Sequence, residues 1–245
     1  RYAINDGPGI RITIFFKGCP LSCNWCHNPE GIDSNKQKLY NLDKCIKCQE
    51  CIKVCNQNAL SLIEDVIITD TYKCNLCGDC ASVCPTKAIE ISGELTSVSE
   101  IMHQIEKEIF MFDESDGGVT FSGGEPLLHH EFLLELLKEC KSKNIHTCVD
   151  TSGYASKNVI LEIAKYTDLF LYDLKIIDEE KHKKHTGVSN EIIIKNLLLL
   201  AEIHANIQIR IPLIGGFNSD DLNIHETAKF ISSLSDSKII TNILP

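Results

Sequence analysis

Eleven of the chain's thirteen cysteines lie between Cys19 and Cys84; only Cys140 and Cys148 lie beyond. A secreted disulfide fold spreads its bridges along the chain, whereas clustered C-x-x-C spacings point to metal ligation in a reducing compartment. No signal peptide is visible, so the cytoplasm is the expected location. The net charge of -10 argues against a nucleic-acid or anionic-membrane surface. No run reaches the roughly 18 to 20 apolar residues of a membrane helix. The best, 192–201, is broken by Lys195 and Asn196. With 245 residues, 43% of them hydrophobic, the chain can bury a core as one large domain or two smaller ones.

The cysteine-rich stretch contains a repeat. Cys45, Cys48, Cys51 and Cys55 recur as Cys74, Cys77, Cys80 and Cys84, and each set is followed by a similar short apolar tail. C-x2-C-x2-C-x3-C is the bacterial ferredoxin spacing, in which three close thiolates take one cubane and the fourth takes the other. The spacing therefore assigns Cys45, Cys48, Cys51 and Cys84 to one [4Fe–4S] cluster. Cys74, Cys77, Cys80 and Cys55 go to a second. Paired zinc knuckles are the competing reading, but four evenly spaced cysteines, repeated, suit tetrahedral zinc poorly.

A separate triplet, Cys19, Cys23 and Cys26, has C-x3-C-x2-C spacing and follows an apolar, β-branched run at 10–16. Three cysteines hold three irons and leave one open, and an open metal position marks a catalytic site. Completion of this cluster by Cys140 or Cys148 competes with that reading. Both sit in apolar contexts that suit buried, inert thiols.

From about residue 96 the pattern alternates. Ser97 and Glu100 have capping-box spacing before a helical face of Val98, Ile101, Met102, Ile105 and Ile109. Strands are predicted at 118–121, 146–150, 169–173, 207–211 and 238–243, with helices around 129–143, 156–165, 189–204 and 220–234. With the strand at 10–16, this makes six β/α units, parallel with right-handed crossovers, as a partial barrel or an open doubly wound sheet. Polar residues fall at successive strand ends: Ser122-Gly123-Gly124-Glu125-Pro126, Asp150-Thr151-Ser152-Gly153 and Asp173-Leu174-Lys175. Active sites of β/α barrels form at that end of the strands.

Together these residues resemble the radical SAM superfamily, whose cluster loop is C-x3-C-x2-C and whose S-adenosylmethionine motif matches Gly123 to Pro126. Asp6-Gly7-Pro8-Gly9-Ile10-Arg11, Trp25-Cys26-His27-Asn28-Pro29-Glu30 and Tyr172-Asp173-Leu174-Lys175 extend the match. They make the chain similar to pyruvate formate-lyase activating enzyme and its relatives, in the subgroup of glycyl radical enzyme activating enzymes that carries a two-cluster insert.

The resemblance implies a partial (β/α)6 radical SAM barrel, formed by residues 1–32 and 95–245, with a ferredoxin-like 2[4Fe–4S] insert at 33–94. It implies three [4Fe–4S] clusters in all, the catalytic one on Cys19, Cys23 and Cys26. Trp25, Cys26, His27, Gly123, Gly124, Glu125, Asp173, Leu174 and Lys175 would surround S-adenosylmethionine. Asp150, Thr151, Asp173 and the Leu171 carbonyl would hold a monovalent cation, sodium or potassium. Asp6 and Arg11 would position the partner's glycine loop.

The activity implied is reductive cleavage of S-adenosylmethionine to a 5′-deoxyadenosyl radical, which takes a hydrogen atom from a glycine of a partner glycyl radical enzyme. The chain would work as a monomer in an anaerobic bacterium, with reduced flavodoxin or ferredoxin as electron donor. Alternatives are another radical SAM enzyme with auxiliary clusters, such as a peptide maturase, or a plain electron carrier. Two departures stand out. The family commonly continues past Leu244-Pro245 to a histidine that touches S-adenosylmethionine, and Gly215-Gly216 replaces its more usual Pro-Gly.

Overall fold

The computed structural model describes residues 2–3, 6–234 and 239–244. The chain divides into two compact units, Arg1–Asp33 with Thr96–Pro245, and Ser34–Leu95. The first unit opens with β1 (Tyr2–Ala3) and β2 (Arg11–Phe16). The second unit supplies β3 (Gln37–Tyr40), α1 (Glu50–Lys53), β4 (Leu60–Ile63), β5 (Val66–Thr69), α2 (Asp79–Ser82) and β6 (Ile89–Ser92). The first unit resumes with α3 (Val98–Glu106), α4 (Ile109–Ser115), β7 (Gly118–Gly123), α5 (His130–Ser142), β8 (His146–Thr151) and α6 (Lys157–Ala164). It ends with β9 (Leu169–Asp173), α7 (Glu179–Thr186), α8 (Glu191–Glu202), β10 (Ile207–Pro212), α9 (Asp221–Ser233) and β11 (Ile240–Leu244).

The large sheet has the order β1-β2-β7-β8-β9-β10-β11, and every pair but β1 with β2 is parallel. The expected strands and helices of this part are present with small shifts at their ends; Lys238 lies outside the described residues. The helix expected from Val98 to Ile109 stops at Glu106, and Ile109 opens α4 instead. Its start is as the spacing predicts: Ser97 accepts from the Glu100 amide, and Glu100 accepts from the Ser97 amide at 2.8 Å. Helix α7 has no counterpart in the sequence reading.

Because the strands follow chain order, same-handed crossovers put their helices on one face. That face carries the core. Val119, Phe121, Val149, Phe170, Tyr172, Ile207 and Ile209 pack under Leu133, Leu136 and Leu137 of α5, Ile160 and Ile163 of α6, and Leu197 and Leu200 of α8. Strand alternation then sends Arg11, Thr13, Thr120, Ser122, Cys148, Asp150, Leu171, Asp173 and Arg210 to the opposite face. Most of these are polar, and Arg11 and Thr120 are fully buried.

Buried polar groups must bond to one another, and Arg11 shows how. Its guanidinium donates to Thr120 Oγ1 at 2.8 Å and to the carbonyls of Pro8, Val119 and His146 at 2.9, 2.7 and 3.2 Å. It thereby fastens β2, β7, β8 and the 6–9 segment together. Cys148 lies on this polar face beside Arg11, not in the apolar context expected from sequence; the apolar reading suits Cys140, which sits in the core beside Met102.

The second unit is a duplication with a 29-residue offset (45 to 74, 55 to 84). β3 pairs with β6 and β4 with β5, both antiparallel. The backbone turns left-handed at matched positions, Lys47 with Leu76, Gln49 with Gly78, and Asn58 with Lys87. Five of these six are not glycine, so each copy carries strain that a non-glycine residue in this region costs.

Arg11→Met is expected to strand three carbonyl acceptors, each worth about 1–3 kcal/mol when left unpaired. A loss of about 3 kcal/mol, read as a lower urea midpoint at unchanged slope, is the expected outcome; an unmoved midpoint would show that the clamp is not needed.

Candidate functional site

The carboxyl ends of β2, β7, β8, β9 and β10 are linked in series by hydrogen bonds. After β2, the amides of Gly124 and Glu125 donate to the carbonyls of Phe16 and Gly18, both at 2.8 Å. The glycines of Gly123-Gly124 are required by this approach. A Cβ on Gly124 would lie 2.2 Å from the Gly18 carbonyl and 2.5 Å from that of Gly31. On the far side of β7, the Glu125 carboxylate accepts from Thr151 Oγ1 at 2.6 Å, Ser152 Oγ at 2.6 Å, the Ser152 amide at 2.8 Å and the Leu127 amide at 3.2 Å. These four donors use the four acceptor positions of the two oxygens. Burial pushes the Glu125 carboxyl up against the pull of those bonds.

The loop carrying Cys19, Cys23 and Cys26 is seated on this edge. The Gly18 and Cys19 amides donate to the carbonyls of Gly31 and Ile32, and the Ser22 and Asn24 amides to those of Thr186 and His185 at the end of α7. Gly187 closes α7 with φ of 85°, and a Cβ there would come within 2.6 Å of Ser22 Oγ. The three cysteines are half-buried. Burial pushes the Cys19 thiol up to about 11 and the Cys23 thiol upward, the latter opposed by Lys175. Metal binding here therefore releases protons. Trp25 forms an aromatic cluster with Phe217, 5.3 Å between centroids, and His185, 6.4 Å. His27 is exposed. Neither His185 nor Phe217 carried a signal in the sequence.

Lys175 donates to Asp173 at 2.9 Å, and its backbone is held by buried Asn218, which donates to the Lys175 and Pro212 carbonyls. Burial opposes its charge, but Asp173 and Cys23 hold Lys175 protonated well above the ordinary lysine range. Asp150 and Asp173, assigned from sequence to a monovalent cation, are both ion-paired with Arg210, which reaches Asp173 at 2.9 Å and also contacts Asp150. Thr151 spends its hydroxyl proton on Glu125, and Leu171 is buried within β9. Arg210 is the residue that sequence reasoning missed here: it is the cation standing between the two carboxylates. Asp6 accepts from Thr13, while its carbonyl accepts from Thr120. Arg11 is consumed by its own chain, so any influence on a partner passes through the 6–9 segment it holds.

In the second unit, one cavity is walled by Cys45, Cys48, Cys51 and Cys84 with Gln49, Ile67 and Ile89. Another is walled by Cys55, Cys74, Cys77 and Cys80 with Lys38, Gln57 and Leu60. The fourth cysteine of each copy accepts a main-chain hydrogen bond at a matched position: Ala59 to Cys55 Sγ at 3.3 Å, Ala88 to Cys84 Sγ at 3.2 Å. Four sulfurs around one cavity, with a main-chain amide aimed at the fourth, form a donor set that fits an iron–sulfur cluster.

Comparison with known proteins agrees with this chemistry. Residues 71–230 match the radical SAM superfamily, and residues 44–88 match the 4Fe-4S dicluster domain. The chain is 50% identical to the trans-4-hydroxy-L-proline dehydratase activating enzyme of Clostridioides difficile, covering 100% of this chain and 82% of that one. It is 40% identical to the choline trimethylamine-lyase activating enzyme of Oleidesulfovibrio alaskensis, covering 97% and 78%. The crystal structure of a domain of pyruvate-formate lyase-activating enzyme from Bacteroides vulgatus aligns with a TM-score of 0.50 and 46% identity, over 53% of this chain and 80% of that one. The chain belongs to the radical SAM superfamily, among the activating enzymes of glycyl radical enzymes. It is an enzyme, not a plain electron carrier, and it generates a radical on a protein partner with S-adenosylmethionine. No helix among the described residues is long and apolar enough to cross a membrane.

The paired aspartates give a pH signature in the metal-free chain. Burial, with Asp173 adding to it and Arg210 opposing, raises Asp150 to about 6; Lys175 and Arg210 overcome burial to lower Asp173. An acid whose folded pKa is raised binds its proton more tightly when folded, so Asp150 makes the fold less stable as pH rises from about 4 to about 6. The Asp150 carboxyl carbon is expected to titrate near pH 6 by NMR, and Arg210→Met to move that midpoint upward. A downward move would overturn the pairing.

Proposed function

We propose that Cys19, Cys23 and Cys26 hold the catalytic [4Fe–4S] cluster and that the two cysteine-walled cavities of the insert hold two more. The observation that supports this best is the seating of the triplet loop on the carboxyl edge beside Lys175, within reach of the residues that can hold S-adenosylmethionine. When bound, the cluster and S-adenosylmethionine supply a one-electron cleavage that yields a 5′-deoxyadenosyl radical.

The protein's own residues bind and orient. Lys175, kept protonated by Asp173, offers its ammonium to the methionine carboxylate. With every acceptor position of Glu125 filled, the ammonium of the ligand is left to main-chain carbonyls of the Gly123–Glu125 segment rather than to that carboxylate. Trp25, Phe217 and His185 form the aromatic wall for adenine. Arg210 supplies positive charge between Asp150 and Asp173, and a sodium or potassium ion would have to displace it from Asp150.

The six β/α units are read as a partial barrel whose polar face is the reaction chamber. Asp6, held by Thr13, marks where the glycine loop is positioned. The chain acts as a monomer, fed by a reduced flavodoxin or ferredoxin. Its 50% identity to a trans-4-hydroxy-L-proline dehydratase activating enzyme puts a dehydratase of that substrate first among candidate partners.

Two experiments test this reading. Cys26→Ala is expected to abolish S-adenosylmethionine cleavage while leaving about eight irons per chain in the insert; cleavage at the wild-type rate would overturn the catalytic assignment. Anaerobic mixing of reconstituted protein, S-adenosylmethionine and reductant with hydroxyproline dehydratase or choline lyase, followed by EPR, is expected to give a glycyl radical with the first. A signal with the second alone would reassign the partner.

A further inference from the structure

The duplication makes the two cavities of the insert near copies, so whatever differs between them has a specific cause. Each has one exposed cysteine, Cys48 or Cys77, and each has a matched main-chain donor to its fourth sulfur. The exposed acids at the helix starts, Glu50 and Asp79, are matched in sequence but not in role: Asp79 lines the second cavity, while Glu50 lies outside the lining of the first and pairs with the exposed Lys53, whose charge acts on Cys48. The least exposed charge that differs comes from β3, which lies outside the duplicated cysteine runs and reaches both cysteine sets. Lys38 lines the second cavity, anchored on Thr69 Oγ1, and its charge acts on Cys80. Tyr40 lies two residues on, and its hydroxyl bonds Cys45 of the first set while accepting from the Ile67 amide at 3.4 Å. The second cavity thus has a half-buried cation facing an exposed, solvent-screened acid, while the first has an exposed ion pair near Cys48 and a neutral hydroxyl on Cys45.

We propose that Lys38 makes the two insert clusters unequal, so that the cluster on Cys74, Cys77, Cys80 and Cys55 is the stronger electron acceptor. This rests on the reading that the cavities hold [4Fe–4S] clusters. Adding an electron makes a cluster more negative, so a fixed positive charge stabilises the reduced form, and net charge and hydrogen bonds at sulfur are among the terms that set the potential. A neutral O–H donor on Cys45 acts in the same direction with less force. One electron delivered to either cluster by a low-potential donor of the flavodoxin or ferredoxin class therefore settles on the second. Lys38 is a tuning residue and not a ligand.

The test is a redox titration followed by EPR on the full chain carrying Cys19→Ala, Cys23→Ala and Cys26→Ala, which leaves the insert clusters alone. Iron near eight per chain is required first, and its absence would overturn the two-cluster reading itself; two resolved midpoints are then expected, and one shared midpoint at full iron would overturn the proposal. Given them, Lys38→Gln is expected to lower the higher midpoint by at least tenfold in the reduction equilibrium, ~59 mV for one electron, and to leave the other in place. Lys38→Arg should restore it, and Tyr40→Phe should move only the lower midpoint. Should Lys38→Gln lose its iron, Thr69→Val, which frees the ammonium from its anchor, is expected to shift the same midpoint less. Both midpoints unmoved, or both moved equally, would overturn the proposal.

Discussion

The edge of the sheet that carries the chemistry depends on how one buried carboxylate is satisfied. Glu125 is almost fully buried at the end of β7, and a buried charge is costly unless donors surround it. Its four donors come from its own turn and from the end of β8, so satisfying the charge also fixes the neighbouring strand end. On the other side the amide of the same residue is bonded to Gly18, at the root of the cysteine loop. One residue thus ties the cysteine loop, the glycine turn and the Thr151-Ser152 turn into a unit. Its carboxylate serves by position, and on the proposed reading the ligand's contacts fall to the main chain around it and to the ammonium of Lys175.

The same rule shapes the rest of the polar face. A parallel sheet normally covers both faces with apolar layers, but here same-handed crossovers leave one face without helices, and arginines fill it. Arg11 satisfies carbonyls near the amino ends of the strands; Arg210 neutralises Asp150 and Asp173 nearer the carboxyl ends. The first needs neutral acceptors and the second needs anions, which suits a rigid amino end and a charged end able to receive a zwitterionic ligand.

How much of this could be read from the sequence follows from which signals are periodic. The six parallel strands alternate with apolar helices, and that periodicity located nearly all of them. Helix α7 escaped because Glu179–Thr186 has no apolar stripe; only His182 and Thr186 are buried. Its signals were of another kind: Asp178 as a cap, acids in the first turn, bases in the last, and Gly187 after the end. It matters because its carbonyl end holds the cysteine loop. Arg210 escaped because within β10 it follows the ordinary alternation of a strand, and its two aspartates lie 60 and 37 residues away. Pairing across a sheet is fixed by register, which spacing along the chain does not reveal. Cys148 is the buried thiol expected, but its surroundings were missed for the same reason: its neighbours in sequence are apolar, while its neighbours across the sheet are Arg11 and Thr120.

The insert adds a further constraint. Its two halves share offsets, left-handed turns and sulfur acceptors, so the two cavities are near copies in backbone and sulfur. Strand β3 breaks that equivalence, because it has no copy: it pairs with β6 of the second half while Tyr40 reaches Cys45 of the first. With period-two alternation, Lys38 and Tyr40 fall on one face of the strand, yet Lys38 lines the second cavity and Tyr40 reaches Cys45 of the first set. A duplication supplies two like cavities, and one unduplicated strand places a charge at one and a hydroxyl at the other's cysteine.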